Sequence, residues 1–335
     1  MRHFSPVPRR FVGVAILCIA SAALVRAQTP SLAASRKSKE KAWVAPRTAG
    51  NHPDLQGFWS NATLTPFERP RDLAGKDFFT EAEAAAFEQR TRDAADRDRR
   101  SSNPQADVNQ AYNEAWFDRG TTVFPTRRTS IVVDPPDGRV PPLTPQAQRD
   151  ATDRAEVLRR DPIGPEDMAL PVRCLLWPTA GPPMLPGPYN NNYQIVQTAY
   201  SVAIDVEMIH DVRIIPLNGR PHLSPRIRLW MGDPVGHWEG DTLVVDTTNF
   251  TEKTHVRGSD QNLHLTERLT LTGPNTLLYR FTIDDPTAFS RPWTGEIVMT
   301  RIKGPLYEYA CHEANYSIEN ILRATRAAEK AGPAR

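Results

Sequence analysis

The fold is decided by the stretch Leu263-His-Leu-Thr-Glu-Arg-Leu-Thr-Leu271, in which apolar and polar residues alternate. Leucine occupies every odd position except Glu267, whereas the even positions carry His264, Thr266, Arg268 and Thr270. Because successive side chains of a β-strand point to opposite faces, this alternation predicts a strand with one packed face and one polar face. Glu267 then lies on the packed face and needs a partner, and the polar face meets either solvent or a hydrophilic lumen.

Further short strands are predicted around this stretch, because β-branched and aromatic segments alternate with turns such as Asn218-Gly219 and Gly273-Pro274-Asn275. The predicted strands cover residues 193–198, 201–206, 212–215, 226–230, 243–248, 263–271, 276–283 and 296–301, and a strand pair at 129–133 and 139–140 flanks a turn at 134–138. Many evenly spaced strands with hairpin-length turns predict a mainly β fold. The expected arrangement is an antiparallel meander closed as a barrel, with a β-sandwich as the alternative.

Helices are predicted at three places in this β-rich chain. Thr80 begins a Thr-x-x-Glu capping box before a helix over about 81–100, and a second helix with proline at its first position covers about 145–160. Both segments are too polar to form a core, so we expect them as insertions on the surface. Ser317 begins a short C-terminal helix with apolar residues on one face.

The N-terminus has the pattern of a secretory signal peptide. Basic residues precede an apolar run over 11–25, and cleavage is predicted after Ala27, which makes 1–27 the signal. The apolar run is short for a membrane anchor, so we expect a periplasmic or secreted protein without an anchor. Residues 28–47 lack apolar periodicity and are predicted to form a disordered lead, which leaves 48–335 as a single β-rich domain.

Charge and cysteine usage agree with export. The chain has 41 Lys plus Arg and 39 Asp plus Glu, and loss of the signal peptide leaves 37 basic against 39 acidic residues. No basic stripe with interleaved aromatic residues remains, so nucleic acid is not an expected partner. Cys174 and Cys311 are the two cysteines that follow the signal peptide. An even pair in an oxidising compartment predicts one disulfide between them.

Four longer strings of the sequence stand out as a set. They are Ile131-Val-Val-Asp-Pro-Pro-Asp-Gly-Arg139, Tyr189-Asn-Asn-Asn-Tyr-Gln-Ile-Val-Gln197, Trp238-Glu-Gly-Asp-Thr-Leu-Val-Val-Asp-Thr-Thr-Asn-Phe250 and Tyr309-Ala-Cys-His-Glu313. Together they resemble a family of secreted bacterial proteins of unassigned function. The resemblance covers nearly the whole mature chain and supplies no catalytic residues. Gly57-Phe58-Trp59 is similar to the Gly-x-Trp near the first strand of lipocalin-like barrels, which implies a barrel of that kind.

Histidines with carboxylates and arginines nearby are the candidates for chemistry. The candidate catalytic residues are His264, His210, Glu207, His312, Glu313, Arg268 and Arg213. In this scheme a histidine acts as base, a glutamate acts as acid and an arginine binds an oxyanion or carboxylate, a role for which Arg257 is a further candidate. The alternative is that these residues form an ion-pair network that braces the strand ends.

No cofactor is predicted. The chain has no Gly-x-Ser-x-Gly, P-loop or Gly-x-Gly-x-x-Gly motif, which argues against α/β-hydrolases, P-loop enzymes and dinucleotide-binding dehydrogenases. A divalent metal held by His210, His264 and His312 is an alternative, although the spacing of the histidines lends it no support. The other histidines after the signal peptide are expected to be exposed or structural, namely His52, His222, His237 and His255.

Two functions follow from these patterns. The first is an exported, cofactor-independent hydrolase or lyase that processes a small molecule in a His/Glu/Arg acid–base pocket of the barrel. The second is a non-catalytic binding protein for a small apolar or aromatic ligand. A polar lumen would favour the enzyme and an apolar lumen the binding protein. Five aromatic residues either stack on such a ligand or belong to the core, namely Trp230, Trp238, Trp293, Tyr193 and Tyr279.

Overall fold

The computed structural model describes residues 43–331, except 101, 110–112 and 178. The predicted signal peptide and most of the predicted lead lie outside the described residues. At the end of that lead, Arg47 forms an isolated β-bridge with Pro53, and its guanidinium lies 2.8 Å from the Asp241 carboxylate. The ordered chain therefore includes Arg47. None of the described helices is long and apolar enough to span a membrane.

One antiparallel sheet of ten strands dominates the described residues. The strands are β1 Gly57–Ser60, β2 Val132–Asp134, β3 Asn192–Gln197, β4 Ser201–Val206, β5 Val212–Pro216, β6 Asp233–Glu239, β7 Thr242–Thr248, β8 His264–Gly273, β9 Thr276–Asp284 and β10 Trp293–Ile302. Across the sheet the order is β5-β4-β3-β1-β10-β9-β8-β7-β6, and β2 pairs with β10. The prediction of a mainly β, antiparallel fold is confirmed.

Three of the four α-helices in the described residues lie in the predicted places. The four are α1 Glu81–Ala95, α2 Pro104–Asn109, α3 Pro145–Val157 and α4 Ser317–Ala331, with short 3-10 helices at Arg71–Leu73, Glu114–Trp116, Pro165–Asp167 and Met208–His210. The short α2 was not predicted. The capping box of α1 is present, since Glu83 accepts a hydrogen bond from Thr80 N at 2.8 Å and the Thr80 hydroxyl accepts one from Glu83 N at 3.3 Å. The two inserted helices and the C-terminal helix are therefore confirmed, although α1 and α3 end earlier than predicted.

The sheet curls but stays open. Its two edges are β5 and β6, and no backbone ladder joins them within the described part of the chain. Side chains meet there instead, because a Cβ on Gly236 would lie 2.7 Å from Ile215 Cγ2 and 2.8 Å from Leu217 Cδ2. Both edges also contain a proline, Pro216 and Pro234, which has no N–H to donate to such a ladder. The structure therefore shows an open antiparallel sheet and not a closed barrel.

The inner face of this curled sheet forms the main core. Its fully buried residues on β7 to β10 include Leu243, Val245, Leu265, Leu269, Tyr279, Phe281, Ile283, Trp293, Ile297 and Met299. The Trp293 ring meets Phe281 at 5.7 Å, Phe289 at 5.9 Å and Phe67 at 6.0 Å between centroids, each nearly edge to face. Tyr193 is buried in the same core. Three of the five aromatic residues proposed as a stacking surface are thus core residues, whereas Trp230 and Trp238 are only partly buried.

The polar face of β8 lies outside this core. The side chains of His264 and Arg268 are 47% and 39% exposed, whereas Leu265, Glu267 and Leu269 on the opposite face are buried. The polar face of β8 therefore meets solvent and not a hydrophilic lumen. The inner face is filled by side chains and does not form a hydrophilic lumen.

Three local predictions are wrong. Residues 226–230 form no strand, and Leu229 makes only an isolated bridge with Phe250. The sequence predicts turns around the proline and glycine of residues 233–239, yet these residues form strand β6. Within 129–140 only β2 forms, and it pairs with β10. The second predicted strand does not form, because the backbone at the end of the turn pairs elsewhere, with Gly138 O accepting a hydrogen bond from Arg69 N.

A disulfide joins Cys174 to Cys311, as predicted. It links the segment before β3 to the segment before α4, across a sequence separation of 137 residues. Asn315 supports the bridge, because its Nδ2 donates to Cys174 Sγ at 3.2 Å. Within α4, Thr325 is the buried residue. Because that helix buries little surface, the disulfide is an important attachment for the C-terminal segment.

We expect the double variant Cys174→Ser/Cys311→Ser to lose about 2–5 kcal/mol of the free energy of unfolding, since the bridge closes a long loop in the unfolded chain. Urea denaturation followed by tryptophan fluorescence measures this difference. Reduced wild-type protein is the matched control and should unfold at the same urea concentration as the variant. A loss below about 1 kcal/mol in both samples would contradict a stabilising bridge.

Candidate functional site

The predicted catalytic residues lie in different surroundings. His264 and Arg268 are on the outer face of β8, Arg213 points from β5 into the core, and His312 and Glu313 are exposed before α4. The described hydrogen bonds pair His264 with Asp246, and not with Glu207 or Glu313. The side chain of His210 lies outside what the structure describes. The structure therefore separates residues that were expected to share one pocket.

Glu207 is buried at the end of β4, with its carboxylate held by two donors. Asn192 Nδ2 donates to Oε2 at 2.6 Å, and Tyr307 N donates to Oε1 at 3.1 Å. Partial burial, together with the charge of Glu207, raises the pKa of the nearby Asp118 carboxyl. These bonds tie β3 to the segment after β10, so Glu207 has a clear structural role.

Arg213 forms an ion pair with Glu267 across the interior of the sheet. Its two terminal nitrogens lie 3.0 Å and 2.5 Å from the two carboxylate oxygens of Glu267, and both side chains are 1% exposed. Tyr279 completes the cluster by donating its hydroxyl to Glu267 Oε1 at 2.8 Å. Burial opposes the charged guanidinium, yet attraction by Glu267 raises the pKa of Arg213. Arg213 is thus the partner that the buried Glu267 was expected to need.

This buried cluster extends to the loop that precedes β3. The backbone N–H of Met184 donates to the Tyr279 hydroxyl at 3.0 Å, and Met184 O accepts from Asn61 Nδ2 at 3.2 Å. Tyr193 bonds to the same loop, donating to Thr179 O at 3.4 Å. The core side chains therefore fix the position of residues 179–187.

A second polar cluster lies on the outer face of β6 to β8. We call it the histidine–aspartate chain, and it runs in order through Arg220, Asp233, His222, Asp246 and His264. Asp246 is its centre, with Oδ1 2.8 Å from His222 Nε2 and Oδ2 2.6 Å from His264 Nε2. The chain fastens the loop after β5 to the sheet, because Asp233 also accepts from the backbone N–H of Leu223 at 2.8 Å.

The histidine–aspartate chain shifts the titration of its members. The hydrogen bond to Asp246, together with attraction by Asp246 and Asp284, raises the pKa of His264 above its usual 6.5. In turn the hydrogen bond from His264, followed by that from His222, lowers the pKa of Asp246. Sequence reasoning missed Asp246. The available signal was the alternation in β7, which places it on the outer face opposite Thr266, close to His264 on β8.

A cavity of about 350 Å³ lies beside the sheet, and we call it the Arg257 pocket. Its walls come from residues 63–67, 131, 179–187 and 255–257, none of which lies in a strand. The described cavity near α1 and the cavity beside the disulfide are larger but more open to solvent. The Arg257 pocket is the most enclosed of these spaces, and its volume lies within the range of small-molecule sites.

The interior of the Arg257 pocket combines apolar and hydroxyl groups. Ile131, Leu185 and Val256 are buried and apolar, whereas Thr63 and Thr65 contribute buried hydroxyls. The two threonines are held rigidly, since Thr63 donates to Thr65 Oγ1 at 3.0 Å and Thr65 Oγ1 accepts from Phe124 N at 2.9 Å. A bound molecule therefore meets a fixed surface on which apolar side chains and hydroxyl groups are mixed.

Two basic side chains stand at the mouth of the pocket. The guanidinium of Arg257 lies 3.7 Å above the ring centroid of Phe67. Partial desolvation, opposed by attraction from Glu68, lowers the pKa of Arg257. Partial desolvation and the charge of Arg154 lower the pKa of His255 below its usual 6.5, so its imidazole is neutral at neutral pH. Both side chains are exposed, as predicted for His255, yet both line the pocket.

No metal site is apparent, since the described residues contain no group of three or more His, Cys, Asp or Glu side chains placed to hold an ion. The proposed set of His210, His264 and His312 includes one residue whose side chain is outside the description. Comparison of the chain with protein-family models and with curated protein sequences finds no match. The geometry of the Arg257 pocket is therefore the guide to function.

The ion pair in the core predicts a large effect of Glu267→Gln. Loss of one partner leaves the buried guanidinium of Arg213 without a countercharge, so we expect about 3–5 kcal/mol less free energy of unfolding. Glu239→Gln is the matched control, because Glu239 pairs with Arg268 on the surface and should change stability by less than about 1 kcal/mol. Chemical denaturation measures both variants, and equal losses would refute the special role of the buried pair.

The histidine–aspartate chain predicts a measurable titration. His264 should titrate above 6.5 in an NMR experiment on the imidazole carbons, and its pKa should fall in Asp246→Asn. Because the folded pKa is the raised one, the stabilisation is complete below pH 6.5 and is lost as the pH rises through the pKa of folded His264. A His264 pKa at or below 6.5 in the wild-type protein, or one that is unchanged in Asp246→Asn, would contradict this geometry.

Proposed function

We propose that this protein is an exported, non-catalytic binding protein for a small molecule with an apolar or aromatic body, which it holds in the Arg257 pocket. The single observation that carries the proposal is a cavity of about 350 Å³, the most enclosed of the described cavities, in which buried apolar side chains stand beside threonine hydroxyls. Most small-molecule sites have this composition, in which apolar side chains supply affinity and a few polar groups supply orientation.

The rigidity of the pocket supports this function. Its loop 179–187 is bonded to Tyr193, Tyr279 and Asn61 in the core, and its phenylalanine, Phe67, packs against the buried Trp293. A pocket that is formed before the ligand arrives loses little conformational entropy on binding. This arrangement favours recognition of one ligand shape.

The hydrolase or lyase remains the second candidate, and His255 is the observation in its favour. A neutral imidazole beside a guanidinium is a suitable general base next to an anion-binding group. However, none of the lining residues that the structure describes carries a carboxylate, and the residues predicted to act as acid lie elsewhere. We therefore place binding before catalysis.

Export is part of the proposal for two reasons. The sequence at 1–27 has the features of a cleaved signal peptide, and the Cys174–Cys311 disulfide is typical of proteins in an oxidising compartment. A periplasmic or secreted location is consistent with both. In that setting, a binding protein meets small molecules outside the cytoplasm.

The pocket can be tested by blocking its mouth. Saturation-transfer NMR with phenol, benzyl alcohol, benzamide and benzoate as probes should detect binding to the wild-type protein. His255→Trp places a large side chain at the mouth and should abolish these signals. His237→Trp is the matched control, because His237 is also exposed but lies on β6, outside the pocket. Unchanged binding in His255→Trp would show that the ligand does not use this cavity.

A further inference from the structure

The geometry points to a specific ligand class for this pocket: a monocarboxylate with an apolar or aromatic body, whose carboxylate binds the guanidinium of Arg257. The inference rests on the proposed function and adds the charge of the ligand. Arg257 is an exposed arginine that lines a cavity with apolar and hydroxyl groups inside it.

The charge of Arg257 is not paired with a carboxylate in the described part of the chain. Its guanidinium has no described ion pair or hydrogen bond, only the contact with the ring of Phe67. Glu68, whose charge attracts Arg257, already forms an ion pair with Arg139 at 3.1 Å. By contrast, Arg213, Arg220 and Arg268 all have carboxylate partners. The five N–H donors of Arg257 are therefore free for a ligand.

The backbone holds Arg257 in this position at an energetic cost. Its φ of 56° lies in the left-handed region, which residues other than glycine seldom adopt. Neighbouring contacts fix the turn, because Val256 and Ser259 exchange two backbone hydrogen bonds of 2.9 and 3.0 Å, and the Ser259 hydroxyl bonds to buried Asp285. Gly258 packs so closely that a Cβ there would lie 2.6 Å from Leu143. Strain of this kind concentrates at functional sites.

The stacking contact orients the guanidinium for a planar anion. Phe67 lies under one face of the group, so its N–H edges remain available in the plane. A carboxylate matches those edges through two parallel hydrogen bonds, which is the preferred geometry of arginine with this group. Partial desolvation of Arg257 strengthens such a bond relative to one in water.

The rest of the pocket limits the ligand to one negative charge. His255 is neutral at neutral pH, and the other lining residues that the structure describes are uncharged. The cavity beyond the mouth is lined by Ile131, Leu185 and Val256, which suit a hydrocarbon body and not a second anionic group. The threonine hydroxyls can bond to one further polar substituent.

Isothermal titration calorimetry with benzoate and its neutral analogue benzamide tests this inference. Wild-type protein should bind benzoate at least tenfold more tightly than benzamide. In Arg257→Gln this ratio should fall to about one, while benzamide affinity stays within threefold of the wild-type value. Arg257→Lys, which keeps the charge but not the planar fork, should give an intermediate ratio. Arg280→Gln on the outer face is the matched control and should keep the wild-type ratio.

The outcomes separate this inference from the proposed function. Equal binding of benzoate and benzamide to wild-type protein, with both lost in His255→Trp, overturns the carboxylate preference and leaves the pocket in place. A benzoate preference that survives in Arg257→Gln assigns the carboxylate to another group and also overturns the inference. Binding of neither probe overturns both proposals. Near-UV circular dichroism of each variant establishes that these results come from folded protein.

Discussion

The ion pair between Arg213 and Glu267 is the contact on which the curled shape of the sheet depends. Strand β5 is an edge, and among the described residues its only ladder is with β4. Arg213 reaches from this edge across the interior to β8 and binds both carboxylate oxygens of Glu267. Two charges lose their hydration there, and this cost is offset because the bond is bidentate and Tyr279 adds a third donor. The two sides of the open sheet are thus connected by side chains where a closed barrel would use backbone hydrogen bonds.

Much of the sheet follows from local sequence patterns. Alternation over about ten residues suffices for β8 and β9, because it reports directly which side chains are buried. Local patterns do not identify the partner of a buried charge. Glu267 needs a countercharge, but nothing near it in the sequence indicates that Arg213, 54 positions earlier, supplies one. Residues 226–230 have the composition of a strand, but they make only an isolated bridge and no ladder with a neighbouring strand. Strand β6 is the reverse case, because its proline and glycine argue against a strand and yet it forms one. It can do so because it lies at the edge of the sheet, where both residues are tolerated.

The pocket is less accessible to sequence reasoning than the sheet. Its four wall segments are loops, and loops have no periodicity that would indicate which of them meet. Arg257 can be proposed as an anion-binding residue from its type alone. Its left-handed backbone and its position over Phe67 are properties of the folded chain. His255 is exposed, as predicted, but its exposure does not reveal that its side chain also lines a cavity.

The position of β1 has a consequence for how the protein is made. This first strand lies between β3 and β10, so its hydrogen bonds are completed only by the last strand of the sheet. Trp59, which β1 contributes to the core, is fully buried in the completed sheet. Pairings between such distant parts of a chain form slowly, and strands that wait for them present free edges to other molecules. Because β10 pairs with β1, β2 and β9, this sheet is complete only when nearly the whole chain is present.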